Sequence, residues 1–522
     1  MQFGRGKRLT RRTSMLTLAG AAGAVLAACG AVVVRYAPGP AGPAGPAGPA
    51  GERGAAGAAG AKGAAGAAGQ TQVVVQEKVV TVEKVVEVPA QAKPTQILRA
   101  WTVWWGWRGP GANGERAVPL KELVDMWNER GTNTPVILEP PPPTTEAMKK
   151  AGSQGGIWEA KIIAATAAGQ QPDFVDPNLH QSHEFGDVGI AVDQAPMVKQ
   201  DKEYAATLDD FFPYLLETSY WKGQLWSLPQ TSDADLPYTN LDHVQQAGLK
   251  PLQQGYTWDD LVEYCQTLQT YHGPGEETNK WAFGHAYNWV NLWNLLKQNG
   301  GDVYNEDYTK VTLNSPEGIE TIQWMMDLVH KHKIHTQHPE WYEAKGIPRP
   351  SFRKGEITLF YETSARRVIT WAQDIGGLDK MYVSPPPTKK QAFTIAFGRQ
   401  FTQFKTEPAR EEAGWGFLRW LTSTDGLAHY SAGTMFMPAR KSILTHPKWL
   451  AVMKIAPQYQ TFLDQQELGF RPFHPTLNKA ARPYNAAMQE TWKNPNAAPK
   501  TLFDEATRQM QVLLDDFRAR DS

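Results

Sequence analysis

The tryptophans are the residues of this chain with the clearest potential for ligand binding. All 19 lie after residue 100. Aromatic rings offer flat faces to the C–H surfaces of sugars and to cations, although most tryptophans of any domain belong to its core. A sugar site also needs a few carboxylate, amide or arginine groups that hydrogen-bond to hydroxyls. The candidate binding residues are therefore aromatic and charged side chains at strand ends and in polar loops.

Four candidates follow the early predicted strands. Trp104 and Trp105 close the first strand on opposite faces, so one of them belongs to the core, and Trp107 lies in the following loop. Asp176 and His180 follow the third strand, where a capping or turn role is the alternative for Asp176. We predict that Trp104, Trp107, Asp176 and His180 contact a ligand.

Two later residues lie on predicted helices. Trp289 and Trp293 are four positions apart and share a helix face, which is usually a core face, yet Trp289 remains a ligand candidate. Cys265 lies in a helical pattern that starts at Trp258, and we predict a buried, inert thiol there. Only one other cysteine, Cys29, is present, and lipidation of that residue would exclude an intramolecular disulfide.

The sequence lacks the local motifs of several enzyme classes. It has no Gly-x-Ser-x-Gly, no His-Glu-x-x-His and no Cys-x-x-Cys. Carboxylates are plentiful, so a paired-carboxylate glycosidase is the enzyme alternative. A tract of four histidines, His330, His332, His335 and His338, could bind a metal, but we favour a solvated helix end and loop. We predict a protein that is not an enzyme and needs no cofactor or metal.

Alternating strand and helix patterns start the globular part of the chain. A buried strand over 97–105 precedes a helix over 117–127, a strand over 135–139, a helix over 158–168 and a strand over 172–176. This order predicts a parallel α/β sheet, which binds ligands at the carboxyl ends of its strands.

Ten short motifs then recur in an order that points to one family. They are Ala167–Asp173, Gly189–Asp193, Ser219–Pro229, Leu236–Leu241, Thr257–Leu261, Gln298–Asp302, Leu313–Glu317, Phe352–Ile357, Ala413–Ser423 and Met437–Arg440. In this order the chain over 97–522 resembles the family 1 extracellular solute-binding proteins of ABC importers, the maltose-binding-protein-like group.

The resemblance implies a two-lobed α/β fold of the type II periplasmic-binding-protein kind. Two or three segments would cross between the lobes, and ligand in the cleft would drive closure by touching both. We place lobe one at 97–208 and 383–432, and lobe two at 209–382 and 433–522. The implied function is capture of a carbohydrate and its delivery to an ABC permease, and polyols, sugar phosphates, small peptides and polyamines are the open alternatives for the cargo.

The resemblance also implies ligand-binding residues in the second half of the chain. Asp233 and Asp235 follow Pro229 in a predicted polar loop where the family often reaches the cleft, and a solvated turn is the alternative. Tyr361 and Glu362 occupy the position where the family places an aromatic contact at the end of a strand. Arg399 could bind a sugar hydroxyl or an acid. We add these five residues to the candidates.

The N-terminus has the layout of an export signal. A basic region that ends in a twin-arginine pair, Arg11 and Arg12, precedes a Gly- and Ala-rich run, which predicts export by the twin-arginine (Tat) route. Leu26-Ala27-Ala28-Cys29 resembles the lipobox of bacterial lipoproteins, which implies a signal over 1–28, a lipid on Cys29 and an extracytoplasmic protein tethered to the outer face of the cell membrane. An uncleaved anchor over 15–34 is the alternative.

A stalk over 29–96 follows. Glycine recurs at every third position from Gly39 to Gly69, eleven times, as in collagen. A triple helix is one interpretation and an extended spacer is the favoured one. The Val-, Glu- and Lys-rich segment Val73–Val88 favours extended chain because it is rich in β-branched residues. A collagen-like surface adhesin, which would form trimers, is the third functional alternative.

The charge balance limits the classes of binding partner that the sequence predicts. The formal net charge is zero, so no global field recruits nucleic acid. The expected partners are a small-molecule ligand, permease subunits and the membrane through the lipid anchor.

Overall fold

The computed structural model describes residues 74–75, 84–85, 96–102, 119–146, 154–176, 181–285, 287–362, 364–468, 474 and 476–521. The chain falls into two units, Met1–Lys93 and Pro94–Ser522. In the first unit the described residues form two antiparallel strands, β1 (Val74–Val75) and β2 (Lys84–Val85). The signal segment, Cys29 and the Gly-X-Y repeats lie outside the described residues.

The described strands of the second unit form three sheets and one hairpin. They are β3 (Leu98–Thr102), β4 (Val136–Glu139), β5 (Phe174–Asp176), β6 (Tyr220–Trp221), β7 (Gln224–Leu225), β8 (Leu228–Pro229), β9 (Thr231–Ala234), β10 (Leu236–Asn240), β11 (Trp281–Gly284), β12 (Ile357–Glu362), β13 (Met381–Val383), β14 (Ala396–Phe397), β15 (Gln400–Gln403) and β16 (Met437–Pro438).

The described α-helices all belong to the second unit and cover the faces of the sheets. They are α1 (Pro119–Glu129), α2 (Gln154–Ala167), α3 (Gln181–Asp187), α4 (Ala195–Gln200), α5 (Lys202–Ala205), α6 (Pro213–Glu217), α7 (Leu241–Gln246), α8 (Trp258–His272), α9 (Gly275–Thr278), α10 (Trp289–Gln298), α11 (Pro316–His330), α12 (Pro339–Lys345), α13 (Arg367–Ile375), α14 (Pro408–Leu421), α15 (Thr424–Thr434), α16 (Pro447–Ile455), α17 (Tyr459–Gln465), α18 (Leu477–Lys493) and α19 (Pro499–Asp521).

The first sheet has the order β4-β3-β5-β15-β8. β3 pairs in parallel with both β4 and β5, and α1 and α2 connect these strands. The predicted strand–helix–strand–helix–strand unit and its parallel sheet are therefore confirmed over the described residues. β15 closes this sheet in antiparallel fashion against β5 and β8.

The second sheet has the order β11-β12-β10-β13. β10 pairs antiparallel with β12 and β13, whereas β11 pairs parallel with β12. Helices α8, α10 and α11 pack near it. A capping box starts α8, because the Thr257 side chain accepts from the Asp260 N–H and the Asp260 carboxylate accepts from the Thr257 N–H. Cys265 of α8 is fully buried, as predicted, and burial raises the pKa of its thiol.

A small third sheet, β14-β9-β16, joins the other two. β9 directly follows β8 of the first sheet and directly precedes β10 of the second, and β14 lies between β13 and β15 along the chain. The chain thus passes from one sheet to the other along these strands, which we call the hinge strands. The fold is the two-lobed α/β fold that the resemblance implied. The predicted lobe boundaries stay a prediction, and β8 pairs in the first sheet although it lies beyond residue 208.

Gly398, directly after β14, permits a close approach of two hinge strands. A Cβ at that position would lie 1.8 Å from the Thr231 carbonyl oxygen, so only glycine lets the two strands approach each other.

Among the described residues, none of the helices combines the length and the apolar sequence needed to span a membrane.

Candidate functional site

Asp233 lies on the central hinge strand, β9, opposite Phe397 of β14. Its side chain is 2% exposed, and its Oδ1 accepts a hydrogen bond from the Ala365 N–H at 2.6 Å. Burial raises the pKa of this carboxyl to about 7, although the charges of Arg399 and Arg366 act in the opposite direction. The alternative of a solvated turn is therefore wrong for Asp233.

Arg366 and Arg399 lie close to Asp233. Arg367 lies next to Arg366, and its guanidinium carbon is 5.2 Å from the centroid of the Trp371 ring. We call Arg366, Arg367 and Arg399 the arginine cluster.

The guanidinium carbon of Arg399 lies 4.0 Å from the ring centroid of Phe436, and that of Arg366 lies 5.3 Å from the same centroid. Phe436 is fully buried, whereas each of the three arginines keeps partial exposure to solvent. Cations over an aromatic face are attracted by its negative quadrupole. Two guanidinium groups of the cluster thus lie close to one buried ring.

The arginines of the cluster also act on one another. Burial is the main cause that lowers the pKa of Arg366 to about 10; repulsion from Arg367 and Arg399 contributes, and the attraction of Asp233 and Glu362 acts in the opposite direction. Part of this lowering therefore comes from neighbouring positive charge.

Glu362 is the second carboxylate next to the cluster. Its Oε2 lies 3.7 Å from the Arg367 Nε, and both side chains are partly exposed. An ion pair at this distance and exposure contributes little stability. Glu362 ends β12 and Arg367 begins α13, so the strand-to-helix connection carries both charges.

Asp235 points to a different set of partners, two positions further along the chain. Its Oδ2 accepts hydrogen bonds from the Asn291 Nδ2 at 3.0 Å and from the Asn294 Nδ2 at 3.4 Å. Its backbone N–H donates to the Ile395 carbonyl, and its own carbonyl accepts from the Thr394 hydroxyl. The side chain is fully buried, so a solvated turn is wrong here as well.

Burial also raises the pKa of Asp235 to about 7, with a contribution from the negative charge of Glu362. Asp235, Tyr361, Asn291, Asn294 and His285 line a cavity of about 10 Å³, and we call this group the amide pocket. A cavity of that size has room for about one water molecule and none for a sugar. The amide pocket therefore supports the hinge strand rather than holding a ligand of that size.

Two histidines extend the amide pocket into the core of the second lobe. His285 Nδ1 lies 2.5 Å from His335 Nε2, and His335 Nδ1 lies 2.7 Å from the Thr336 carbonyl oxygen. Burial lowers the pKa of His335 to about 3 and also lowers that of His285. Both are therefore neutral, with His335 donating from Nδ1 and accepting at Nε2. The expectation of a solvated histidine tract is wrong for His335 and for the buried His338.

The predicted candidates thus fall into separate places. Asp233, Glu362 and Arg399 meet at the arginine cluster, and Asp235 and Tyr361 meet in the amide pocket. Trp289 starts α10, where its ring is 6.2 Å from the buried ring of Trp293 and its carbonyl accepts from the Tyr484 hydroxyl. Trp104, Trp107 and His180 lie outside the described residues, and for Asp176 the backbone alone is described, as the partner of Thr102.

A further contact lies away from the hinge strands. Trp221, in the β6–β7 hairpin, lies 6.2 Å from Phe517 of α19 between ring centroids. Lys222 of the hairpin turn places its Nζ 5.3 Å from the centroid of the same ring. The hairpin therefore packs against α19.

The family profile described as "bacterial extracellular solute-binding protein" matches residues 150–457, more than half of the chain. The chain belongs to this family. The match covers the hinge strands β9, β14 and β16 and the arginine cluster. The resemblance drawn from the sequence motifs is thereby confirmed.

Two curated relatives match part of this solute-binding protein. The sn-glycerol-3-phosphate-binding periplasmic protein UgpB of Pectobacterium atrosepticum is 24% identical over 256 residues, which are 47% of this chain and 52% of the relative. The arabinooligosaccharide-binding protein of Halalkalibacterium halodurans is 21% identical over 222 residues, 42% of this chain and 45% of the relative. The chain spans about half the length of the curated relatives it matches.

Solved structures share the fold of this solute-binding protein. The ABC substrate-binding protein Lmo0181 of Listeria monocytogenes, in complex with cycloalternan, aligns with a TM-score of 0.64 at 16% identity. The alignment covers 80% of this chain and 98% of that one.

Sequence reasoning missed three residues of the site: Arg366, Arg367 and Phe436. The two arginines carried a usable signal, because they stand where a helix begins directly after the carboxyl end of a strand. Cations at a helix N-terminus oppose the helix dipole, so a pair of them there calls for an explanation. Phe436 carried no such signal, since a buried phenylalanine is ordinary.

Proposed function

We propose that this chain is the substrate-binding subunit of an ABC importer, which captures a carbohydrate in the cleft between its lobes and passes it to a permease. Lipid on Cys29 would hold it outside the cytoplasm at the outer face of the cell membrane. The tether would raise the concentration of the loaded receptor near its permease. Binding, closure and release need no covalent step.

The observation that carries this proposal is the placement of charged and aromatic groups at the hinge strands. Asp233 and Arg399 belong to, or directly follow, segments that cross between the sheets. A ligand that touches such groups contacts both lobes, and only contacts that differ between open and closed states can drive closure. Of the ten candidate residues from the sequence, the proposed ligand set keeps eight and leaves out Asp235 and Tyr361 of the amide pocket. We add Arg366 and Arg367 to it.

Carbohydrate is the proposed cargo class for two reasons. The tryptophan content of the chain suits sugar faces, and the partial relatives are named for an arabinooligosaccharide and for glycerol 3-phosphate. A neutral oligosaccharide and a small phosphate ester differ in charge, and the positive charge of the arginine cluster favours one of them over the other.

A thermal-shift screen of the full-length chain tests the function. Mono- and oligosaccharides, polyols, polyamines and amino acids would each be added at a large excess. A ligand at 100 times its Kd stabilises the folded state by about 2.7 kcal/mol and raises the midpoint. We expect a rise with one carbohydrate class and, by chromatography, no consumption of that ligand.

Two results of the screen would favour other functions. Slow disappearance of the carbohydrate would favour the glycosidase alternative, and no response to any compound would contradict the receptor proposal. A variant with Asp259, an exposed residue of α8, changed to Asn serves as the control and should bind as the parent chain does.

The anchor and the stalk need separate measurements. Mass spectrometry of the membrane fraction should find a lipid-modified N-terminus at Cys29, and the change Cys29→Ser should release the protein from that fraction. Sedimentation of the full-length chain should give a monomer. A trimer would instead favour the collagen-like adhesin and a triple-helical stalk.

A further inference from the structure

The arginine cluster has a charge imbalance that hydroxyl binding does not explain. Among the described residues around it, three guanidinium groups face two carboxylates, Asp233 and Glu362. Neutral hydroxyls are bound well by carboxylates and amides, which bring no such repulsion. Arginine instead offers a planar fork of N–H donors that matches carboxylate and phosphate oxygens.

The backbone at the cluster adds positive potential. Helix α13 runs from Arg367 to Ile375, with Arg366 at its N-cap, where its side chain makes no capping hydrogen bond. The dipole of a nine-residue helix favours negative charge at this end and disfavours cations. Asp233, which accepts from the Ala365 N–H, and Glu362 supply part of that negative charge, and the three arginines exceed it among the described residues.

A buried polar group at the same helix start has no protein partner in the part of the chain that the structure describes. Ser364 is 6% exposed, and its hydroxyl makes no hydrogen bond to a described residue. The Tyr238 hydroxyl donates to the Ser364 carbonyl, which fixes the backbone at this position. A serine hydroxyl beside a helix N-terminus is a suitable donor to an oxyanion.

The cluster is also placed where a ligand can reach it. Arg366, Arg367 and Arg399 are each partly exposed, and the guanidinium groups of Arg366 and Arg399 both lie near the buried ring of Phe436. Stacking on a ring lowers the entropy that a guanidinium loses when it binds. The amide pocket, in contrast, is sealed and holds about 10 Å³.

We propose that the arginine cluster binds an oxyanion of the cargo, so that this receptor takes an acidic carbohydrate, a sugar or polyol that carries a phosphate or carboxylate group. The proposal rests on the proposed function and specifies its substrate class. The sugar part would lie against aromatic and hydroxyl-binding groups of the cleft, and the charged part against Arg366, Arg367 and Arg399.

Calorimetric titration of the full-length chain with matched ligands tests this proposal. One set is glucose, glucose 6-phosphate and glucuronate, and the other is glycerol and glycerol 3-phosphate. Hydrogen bonds to charged groups contribute about 1.5–3 kcal/mol, so we expect the acidic members to bind about tenfold to a hundredfold tighter than the neutral ones. The two acidic glucose derivatives distinguish a phosphate from a carboxylate as the preferred group.

Variants connect this preference to the cluster. Arg399→Gln should weaken binding of the acidic members about tenfold or more and leave the neutral members unchanged, while Arg399→Lys should keep part of the preference. Arg508→Gln, on the exposed face of α19 far along the chain, is the matched control. Arg367→Gln tests the same prediction if Arg399→Gln does not fold, as judged by circular dichroism and thermal midpoint.

Each outcome decides something different. Equal or tighter binding of the neutral members would overturn this proposal and leave the proposed function standing. An acidic preference that Arg399→Gln and Arg367→Gln both retain would overturn it too, because the preference would then come from elsewhere. If no carbohydrate of either kind binds, the proposed function fails and this proposal fails with it.

Discussion

Asp233 and Asp235 are two buried carboxylates on one hinge segment, and their surroundings differ in kind. Asp233 lies among the partly exposed guanidinium groups of the arginine cluster, whereas Asp235 lies among the amides of Asn291 and Asn294 in the small amide pocket. Both have a pKa raised to about 7, so a raised pKa alone does not identify a binding residue. The partners and the room around each group decide its role.

Asp235 therefore supports the hinge strand, whereas Asp233 sets the charge at the arginine cluster. Asp235 ties the hinge strand to α10 and to the crossing segment at Thr394 and Ile395. Asp233 is fixed through one oxygen by the Ala365 N–H and places its charge next to Arg366 and Arg399. Changes of single residues test whether the two carboxylates differ in role in this way.

The largest expected effect is the loss of stability when Asp235 is changed to Ala. The amides of Asn291 and Asn294 would lose a buried acceptor, and each unsatisfied group costs about 1–3 kcal/mol. We expect the free energy of unfolding at pH 5 to fall by about 2–4 kcal/mol, measured by urea denaturation. The exposed Asp259→Ala is the control, and an equally small effect of both changes would contradict the supporting role of Asp235.

The second effect concerns the pH dependence of stability. A carboxyl with a folded-state pKa of about 7 and an unfolded value near 3.8 stabilises the fold at low pH, and this contribution disappears as the pH rises from about 4 to about 7. Asp235→Asn should therefore gain stability relative to the parent chain over that interval, by at most about 4 kcal/mol.

The measured quantity is the difference between the two unfolding curves at each pH. The buried His285 and His335, whose pKa values are lowered, contribute a slope of the opposite sign, and this contribution cancels in the difference. A difference that stays constant from pH 4 to pH 8 would mean that Asp235 is not the titrating group.

The smallest effect compares the two carboxyls through their common neighbour. The negative charge of Glu362 raises the pKa of both Asp235 and Asp233. It is the second largest contribution to the shift at Asp235, after burial, and the smallest one at Asp233. Glu362→Gln should lower both pKa values, that of Asp235 more, by less than about one unit. Carbon-detected NMR titration of the carboxyl signals measures both, with the exposed Glu277→Gln as the control.

Local patterns predicted much of the fold, because it follows from short-range rules. The first βαβαβ unit followed from hydrophobic periodicity, and the burial of Cys265 followed from its helical pattern. The two-lobed arrangement came from motif order, which reflects the family. The partners of β9 could not be predicted in this way, since β14 and β16 are more than 160 positions away along the chain.

The site was predicted less completely for the same reason. Asp233 and Arg399 were identified as candidates, but their proximity depends on the pairing of β9 with β14. Asp235 has the same residue type as Asp233 and stands two positions away, and only the tertiary position of α10 places amides around it. Arg366 broke a local rule at a helix start, and such exceptions are useful indicators of function.

One measurement tests the division between the two carboxylates most directly: calorimetric titration of Asp233→Asn and Asp235→Asn, at pH 5.5 and pH 8, with glycerol 3-phosphate or with the tighter-binding acidic glucose derivative. Ionised Asp233 repels an anion at the arginine cluster, so Asp233→Asn should bind about three- to tenfold tighter than the parent chain at pH 8 and equally at pH 5.5. Asp235→Asn should match the parent chain at both pH values. Equal effects of the two changes, or weaker binding by Asp233→Asn at pH 8, would contradict the assignment of an electrostatic role at the arginine cluster to Asp233 and of support to Asp235.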